Sequence, residues 1–191
     1  MLACVAVLAG ACGSADGSGT SATVVPATTV APTTTVWVVR TTTLETVGHV
    51  GGSSSLTIGV DGNPLISHTD ISNSDLELYV CDDPACSSGT NVTLETTGDV
   101  GWDTSIAIGV DGNPVISHYD ATNGDLELYV CDDPACSSGT NVTLVTTGSV
   151  GVFSSITIGD DGNPVIAHQE YAKGDLEFAQ VMMPVSVVAY Q

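Results

Sequence analysis

The chain has 191 residues, and 22 carboxylates face two basic residues, Arg40 and Lys173, for a formal net charge of −20 and a pI near 4.1. Such a surface lacks the clustered cations that displace counterions from phosphate backbones or anionic headgroups, which excludes nucleic acid and leaves the membrane accessible only through an anchor. With 42% hydrophobic residues and 21 Gly the composition suits a β-rich folded domain rather than a disordered chain.

Residues 2–11 form an apolar run too short to span a bilayer as a helix. The run ends in Leu8-Ala9-Gly10-Ala11-Cys12, which resembles the lipobox of a bacterial lipoprotein signal. The resemblance makes residues 1–12 a signal segment and Cys12 the lipidated first mature residue; the alternative is an ordinary secretory signal cut nearby. Both readings place the protein at the cell surface or outside the cell. Residues 13–35 are Ser, Thr, Ala, Gly, Val and Pro with one charge, Asp16, and are read as a tether.

Residues 36–191 are read as a repeat domain. Gly-Asn-Pro recurs at Gly62, Gly112 and Gly162, and 112 − 62 = 162 − 112 = 50. Residues 59–101 and 109–151 differ at only 7 of 43 positions, so one supersecondary unit has been copied and must stack on its neighbours to bury its apolar face. Units of about 42–90, 91–140 and 141–191 each predict four short antiparallel strands from period-2 alternation between turn signals. In the middle of the array these lie at residues 105–108, after the Val110-Asp111-Gly112-Asn113 turn at 115–119, and around Leu126, Leu128 and Val130; the strand of 141–147 has equivalents starting at Thr42 and Asn91. Pro114 donates no ladder bond and is placed at a strand's first residue. The segment 36–39 is read as an orphan outer strand and 185–190 as an extra one.

Four strands per 50 residues is the blade of a β-propeller. The run of residues 105–126, with Ile-Gly-Val-Asp-Gly-Asn-Pro-Val-Ile-Ser-His-Tyr-Asp and Asn-Gly-Asp-Leu, resembles a family of secreted bacterial β-propeller-like repeat proteins carrying C-x4-C pairs. Three blades are too few for an ordinary closed propeller, so the expected fold is all-β, an open arc or partial propeller, with a β-trefoil as the alternative. An open arc exposes two blade faces and favours a homo-oligomer; a fragment of a longer propeller is the other reading.

The cysteines Cys81 with Cys86 and Cys131 with Cys136 predict disulfides in an exported chain, with a four-thiolate zinc site as the alternative. His68, His118 and His168 recur at one blade position and are read as hydrogen-bonded packing residues rather than metal ligands. The acids recur too, at Asp61, Asp111 and Asp161 in turns and at Glu77, Glu127 and Glu177 within strands. Asp70 with Asp75, and Asp120 with Asp125, flank loops that could hold Ca2+; no other cofactor is expected. There is no Gly-x-Ser-x-Gly elbow, phosphate loop or His-Glu-x-x-His. Trp102 is matched by Gly52 and Val152, so no aromatic recurs around the array, and the repeat breaks at Gly51-Gly52-Ser53 and Phe178 are read as end effects. The expected function is a non-enzymatic module presenting an acidic surface to a protein or glycan, the alternative being a glycan-active propeller enzyme or lectin.

Overall fold

The computed structural model describes residues 38–182. The signal, Cys12, the tether, residues 36–37 and the segment 185–190 lie outside the described residues, and residues 38–39 of the expected orphan strand belong to no strand. Eleven strands are formed: β1 (Gly52–Ile58), β2 (Pro64–Asp70), β3 (Asp75–Cys81), β4 (Gly89–Glu95), β5 (Trp102–Ile108), β6 (Pro114–Asp120), β7 (Asp125–Cys131), β8 (Gly139–Val145), β9 (Val150–Ile158), β10 (Pro164–Glu170) and β11 (Asp175–Gln180). They make three antiparallel sheets, β1-β2-β3-β4, β5-β6-β7-β8 and β9-β10-β11. Three separate meanders are a propeller-like arc of blades, not the single barrel of a trefoil.

Local chemistry places the strands. Asp61, Asp111 and Asp161 each accept the backbone N–H of the Asn two residues on, at 3.0 to 3.1 Å. The glycine between takes positive φ, 85° at Gly62 and 88° at Gly112, and the proline then opens β2, β6 and β10. The strand that the sequence puts first in each unit pairs on the far side of the preceding sheet: β4 pairs with β3 and β8 with β7. Each structural blade is therefore offset from its sequence unit by one strand. The strand expected from Thr42 does not form; residues 40–45 belong to no sheet, because β3 already pairs with β4 and no preceding blade offers them a third strand among the described residues.

The core lies between blades. Leu65, Leu76 and Leu78 of the first blade meet Ile106, Ile116 and Tyr129 of the second, and Val115, Leu126 and Leu128 of the second meet Val150, Ile156 and Ile166 of the third. Close approach at each junction is made by a glycine: a Cβ on Gly101 would lie 2.7 Å from the Cα of Leu76, and one on Gly151 2.9 Å from that of Leu126. β5 packs against the first blade and β9 against the second, and β1, β5 and β9 adjoin one another along one side of the arc.

Candidate functional site

Beside those three strands lies a shallow cup of about 230 Å³, lined by Ser53, Ser54, Asp103, Thr104, Phe153 and Ser154. Every blade contributes the same two repeat positions. Ser53, Asp103 and Phe153 all have left-handed backbone, with φ of 45°, 49° and 55°. The ladders of β1 with β2 and of β5 with β6 slip at this point, between Gly52 and Ser55 and between Trp102 and Ser105. A bulge turns the residue out of the pleat and re-aims its side chain. For Phe153, which is 68% exposed, no burial offsets this strained conformation.

The floor beneath is held by hydroxyls. Thr104 Oγ1 donates to Ser67 Oγ at 2.9 Å, Ser154 Oγ donates to the Asp103 carbonyl at 2.8 Å, and Ser117 and Ser154 share a hydrogen bond of 2.8 Å. These bonds tie one blade to the next and leave Asp103 half-buried and Phe153 exposed at the rim. The sequence reading missed this group. Its signal in the sequence is weak: the stretch 52–54 varies from unit to unit at more than one position, and Ser53 beside Gly51 and Gly52 reads as an end effect.

The recurrent histidines are distributed to separate junctions. His118 is fully buried; its Nδ1 accepts the Gly101 N–H at 3.4 Å, so the proton sits on Nε2, which donates to Asn141 Oδ1 at 3.1 Å. Asn141 Nδ2 and Thr143 Oγ1 then donate to the two oxygens of Glu127, at 2.7 and 3.0 Å. Burial pulls the His118 pKa below the ordinary histidine value, against the Asn141 hydrogen bond and the charges of Glu127, Glu95 and Asp120, which pull it up. His168 repeats the Gly151 contact at 3.3 Å, but among the described residues its blade has no outer strand to supply the Asn and Thr.

The first blade keeps the chain from His68 through Asn91 to Glu77, at 3.2 and 2.8 Å. Here, however, His68 Nδ1 and Glu45 Oε2 are buried without a hydrogen bond, Glu45 Oε2 lying 3.8 Å from His68 Nε2 and Glu77 Oε2 3.9 Å from His68 Nδ1. His68 and Glu45 border a cavity of about 240 Å³ whose lining includes Leu44, Val50 and Tyr79. Glu45, His68 and Glu77 can bring one donor atom each within 4.8 Å, the one such group among the described residues. An imidazole with two carboxylates is a donor set for a divalent transition cation. Burial, then the Glu77 charge, raises the Glu45 carboxyl above its ordinary value, partly offset by His68.

Asp70 and Asp75 are register partners, as are Asp120 and Asp125. The Asp70 carboxylate accepts the Ser72 N–H at 2.8 Å and the Asn73 amide at 2.6 Å, and Asp120 does the same with Thr122 and Asn123. These oxygens fold the hairpin loop as Asx turns. Burial and the facing Asp raise the carboxyls of Asp75 and Asp125. Cys81–Cys86 and Cys131–Cys136 are disulfides with Cα atoms 4.9 Å apart, each pinning the loop from β3 to β4 or from β7 to β8. Within those loops Asp83 accepts from Ser87, and Asp133 from Ser137.

No protein-family model matches the chain, and no curated protein sequence does. Among solved structures, a fucose lectin from Kordia zhangzhouensis in complex with methyl-fucoside is similar at 12% identity and a TM-score of 0.43, over 69% of this chain and 93% of the lectin. An endo-arabinase from Bacteroides thetaiotaomicron VPI-5482 is similar at 16% identity and a TM-score of 0.44, over 70% of this chain and 56% of the enzyme.

Proposed function

We propose that this chain is an exported, surface-anchored, non-enzymatic binding module that takes a neutral, hydroxyl-rich glycan in the cup of Ser53, Asp103 and Phe153. One observation carries the reading: Ser53, Asp103 and Phe153 stand at one left-handed bulge position of the three blades, carry three different side chains, and all line one cup. Left-handed backbone under a bulky residue costs about 1–3 kcal/mol, and such strain gathers at functional sites.

The chemistry suits a sugar. An exposed aromatic ring offers a face for the apolar side of a pyranose, a carboxylate accepts from neighbouring hydroxyls, and Ser and Thr hydroxyls adapt as donor or acceptor. A net charge of −20 repels acidic glycans, which selects neutral ones. Glycoside hydrolysis needs a pair of carboxyl groups, whereas the lining of this cup contains one, Asp103. Two disulfides suit an oxidising compartment, and the lipobox-like Cys12 supplies the anchor.

Titration calorimetry against a panel of neutral and acidic oligosaccharides tests this. Heat from neutral sugars, lost in Phe153→Ser and Asp103→Asn, with no new reducing ends after incubation, is the expected result. Binding that survives both substitutions would move the site elsewhere, and released reducing ends would make the protein an enzyme.

A further inference from the structure

We infer that a second copy of this chain completes the blade array by strand exchange: residues 41–45 of one copy add as the fourth strand of the other copy's third blade, beside β11, and the two arcs close into one ring. The proposal is independent of sugar binding. It rests on an interface the chain already builds twice.

At both internal junctions the linker follows one path. The Asp99 carbonyl accepts the Ala121 N–H at 2.8 Å, and the Ser149 carbonyl accepts the Tyr171 N–H at 2.8 Å. The linker before the first blade repeats this, with the Ile71 N–H donating to the His49 carbonyl at 2.9 Å, and Gly48 is left-handed like Gly98 and Gly148. Glu45 lies 3.8 Å from His68, and Glu95, one repeat on, is likewise close enough to act on His118. The segment ending at Glu45 thus arrives where the end of a fourth strand belongs, with no third strand beside it among the described residues. At the opposite end no fourth strand joins β11 among the described residues.

The two free faces are the two halves of the internal junction. Leu76 and Leu126 are fully buried under the following linker, while Leu176 is 84% exposed and Phe178, the counterpart of buried Leu78 and Leu128, is 68% exposed. On the other half, Gly101 and Gly151 press on those leucines, while a Cβ on Gly51 would meet nothing within 4 Å. Leu56 is 57% exposed where its counterparts Ile106 and Ile156 are 6% and 8% exposed. The Val100 N–H donates to the Ser74 carbonyl and the Val150 N–H to the Gly124 carbonyl, so Val50 of one copy meets the Gly174 carbonyl of the other.

Repeat arithmetic fixes the register. Glu77 faces Thr93 and Glu127 faces Thr143, and each threonine donates to its glutamate. The donated strand sets Thr43 against Glu177 in the same way. Leu78 faces Val92 and Leu128 faces Val142, which sets Thr42 against Phe178. A face-to-complementary-face contact repeats until it closes, and two three-bladed arcs give six blades, inside the usual range for a propeller ring.

Light scattering on the full chain across a dilution series should give twice the 19.3 kDa chain mass at high concentration. Leu176→Asp changes a side chain exposed in the single copy, so it should fold, keep its circular dichroism and remain at monomer mass. In non-reducing electrophoresis Thr42→Cys with Phe178→Cys should give a covalent dimer that neither single variant gives. Monomer mass at every concentration, association indifferent to Leu176→Asp, or cross-linking by a single variant as efficiently as by the pair would overturn the proposal.

Discussion

One leucine position should respond very differently to truncation in different blades. Leu126 is fully buried between the second and third blades, whereas Leu176, its repeat counterpart, is 84% exposed. Leu→Ala deletes three carbons, a transfer loss of about 2.4 kcal/mol at about 0.8 kcal/mol for each. For Leu126 a cavity term adds to this, because Gly151 and the β9 backbone can only partly follow, so the cost should fall near 3–5 kcal/mol. For Leu176 only the 16% of its surface that is covered counts, about 0.4 kcal/mol, with no cavity. Equilibrium urea denaturation at concentrations where the chain is monomeric reads both values. Similar losses in the two variants, or a loss above about 1 kcal/mol for Leu176→Ala in the monomer, would refute the assignment of a covered and an open blade face. Where the dimer is populated, the cost of Leu176→Ala should rise towards that of Leu126→Ala.

Phe153→Gly should relieve the left-handed backbone and stabilise the fold by about 1 kcal/mol, since the exposed ring contributes little packing, while sugar binding is lost; thermal melts and calorimetry on the same sample read both effects. Breaking the Cys131–Cys136 bridge by double substitution to serine should cost about 2 kcal/mol from loop entropy, and more where buried Cys136 loses its packing; a denaturation midpoint unchanged by reductant would contradict this. His118 is held neutral by burial, with its pKa below that of the unfolded chain. Its contribution is therefore complete above about pH 6.5 and is lost as pH falls from there towards the lower folded value. Wild type should accordingly lose more stability than His118→Gln between about pH 7.5 and 5.5, and parallel losses would show that His118 does not titrate in that window. Gly101→Ala should cost more than Gly51→Ala in the monomer, because both glycines are left-handed but only the first would drive a Cβ into the Leu76 backbone.

Much of the fold was legible in the sequence because its signals are local. An Asp that caps its own turn, a Gly that accepts positive φ and a Pro that cannot join a ladder mark the β1–β2 type hairpin wherever they recur, and a 50-residue period repeats the mark. The short spacing of Cys81 and Cys86 made their pairing legible for the same reason. Sheet membership was not legible. The strand of 141–147 alternates identically whether it opens one blade or closes another, and only the ladder of β7 with β8 decides. The cup was hidden because Ser53, Asp103 and Phe153 are separated by whole blades, and nothing local says that a bulge turns them to one side.

The sequence by itself determined the repeat, its hairpins, its disulfides and the acidity of its surface, all of which follow from neighbouring residues or from composition. Tertiary structure alone decided which copies of a residue are buried. Leu76, Leu126 and Leu176 occupy the same place in the same hairpin, and what separates a core leucine from an exposed one is whether a following linker with its glycine lies across it. Burial belongs to the junction between two blades, and a junction has no address in either blade's sequence.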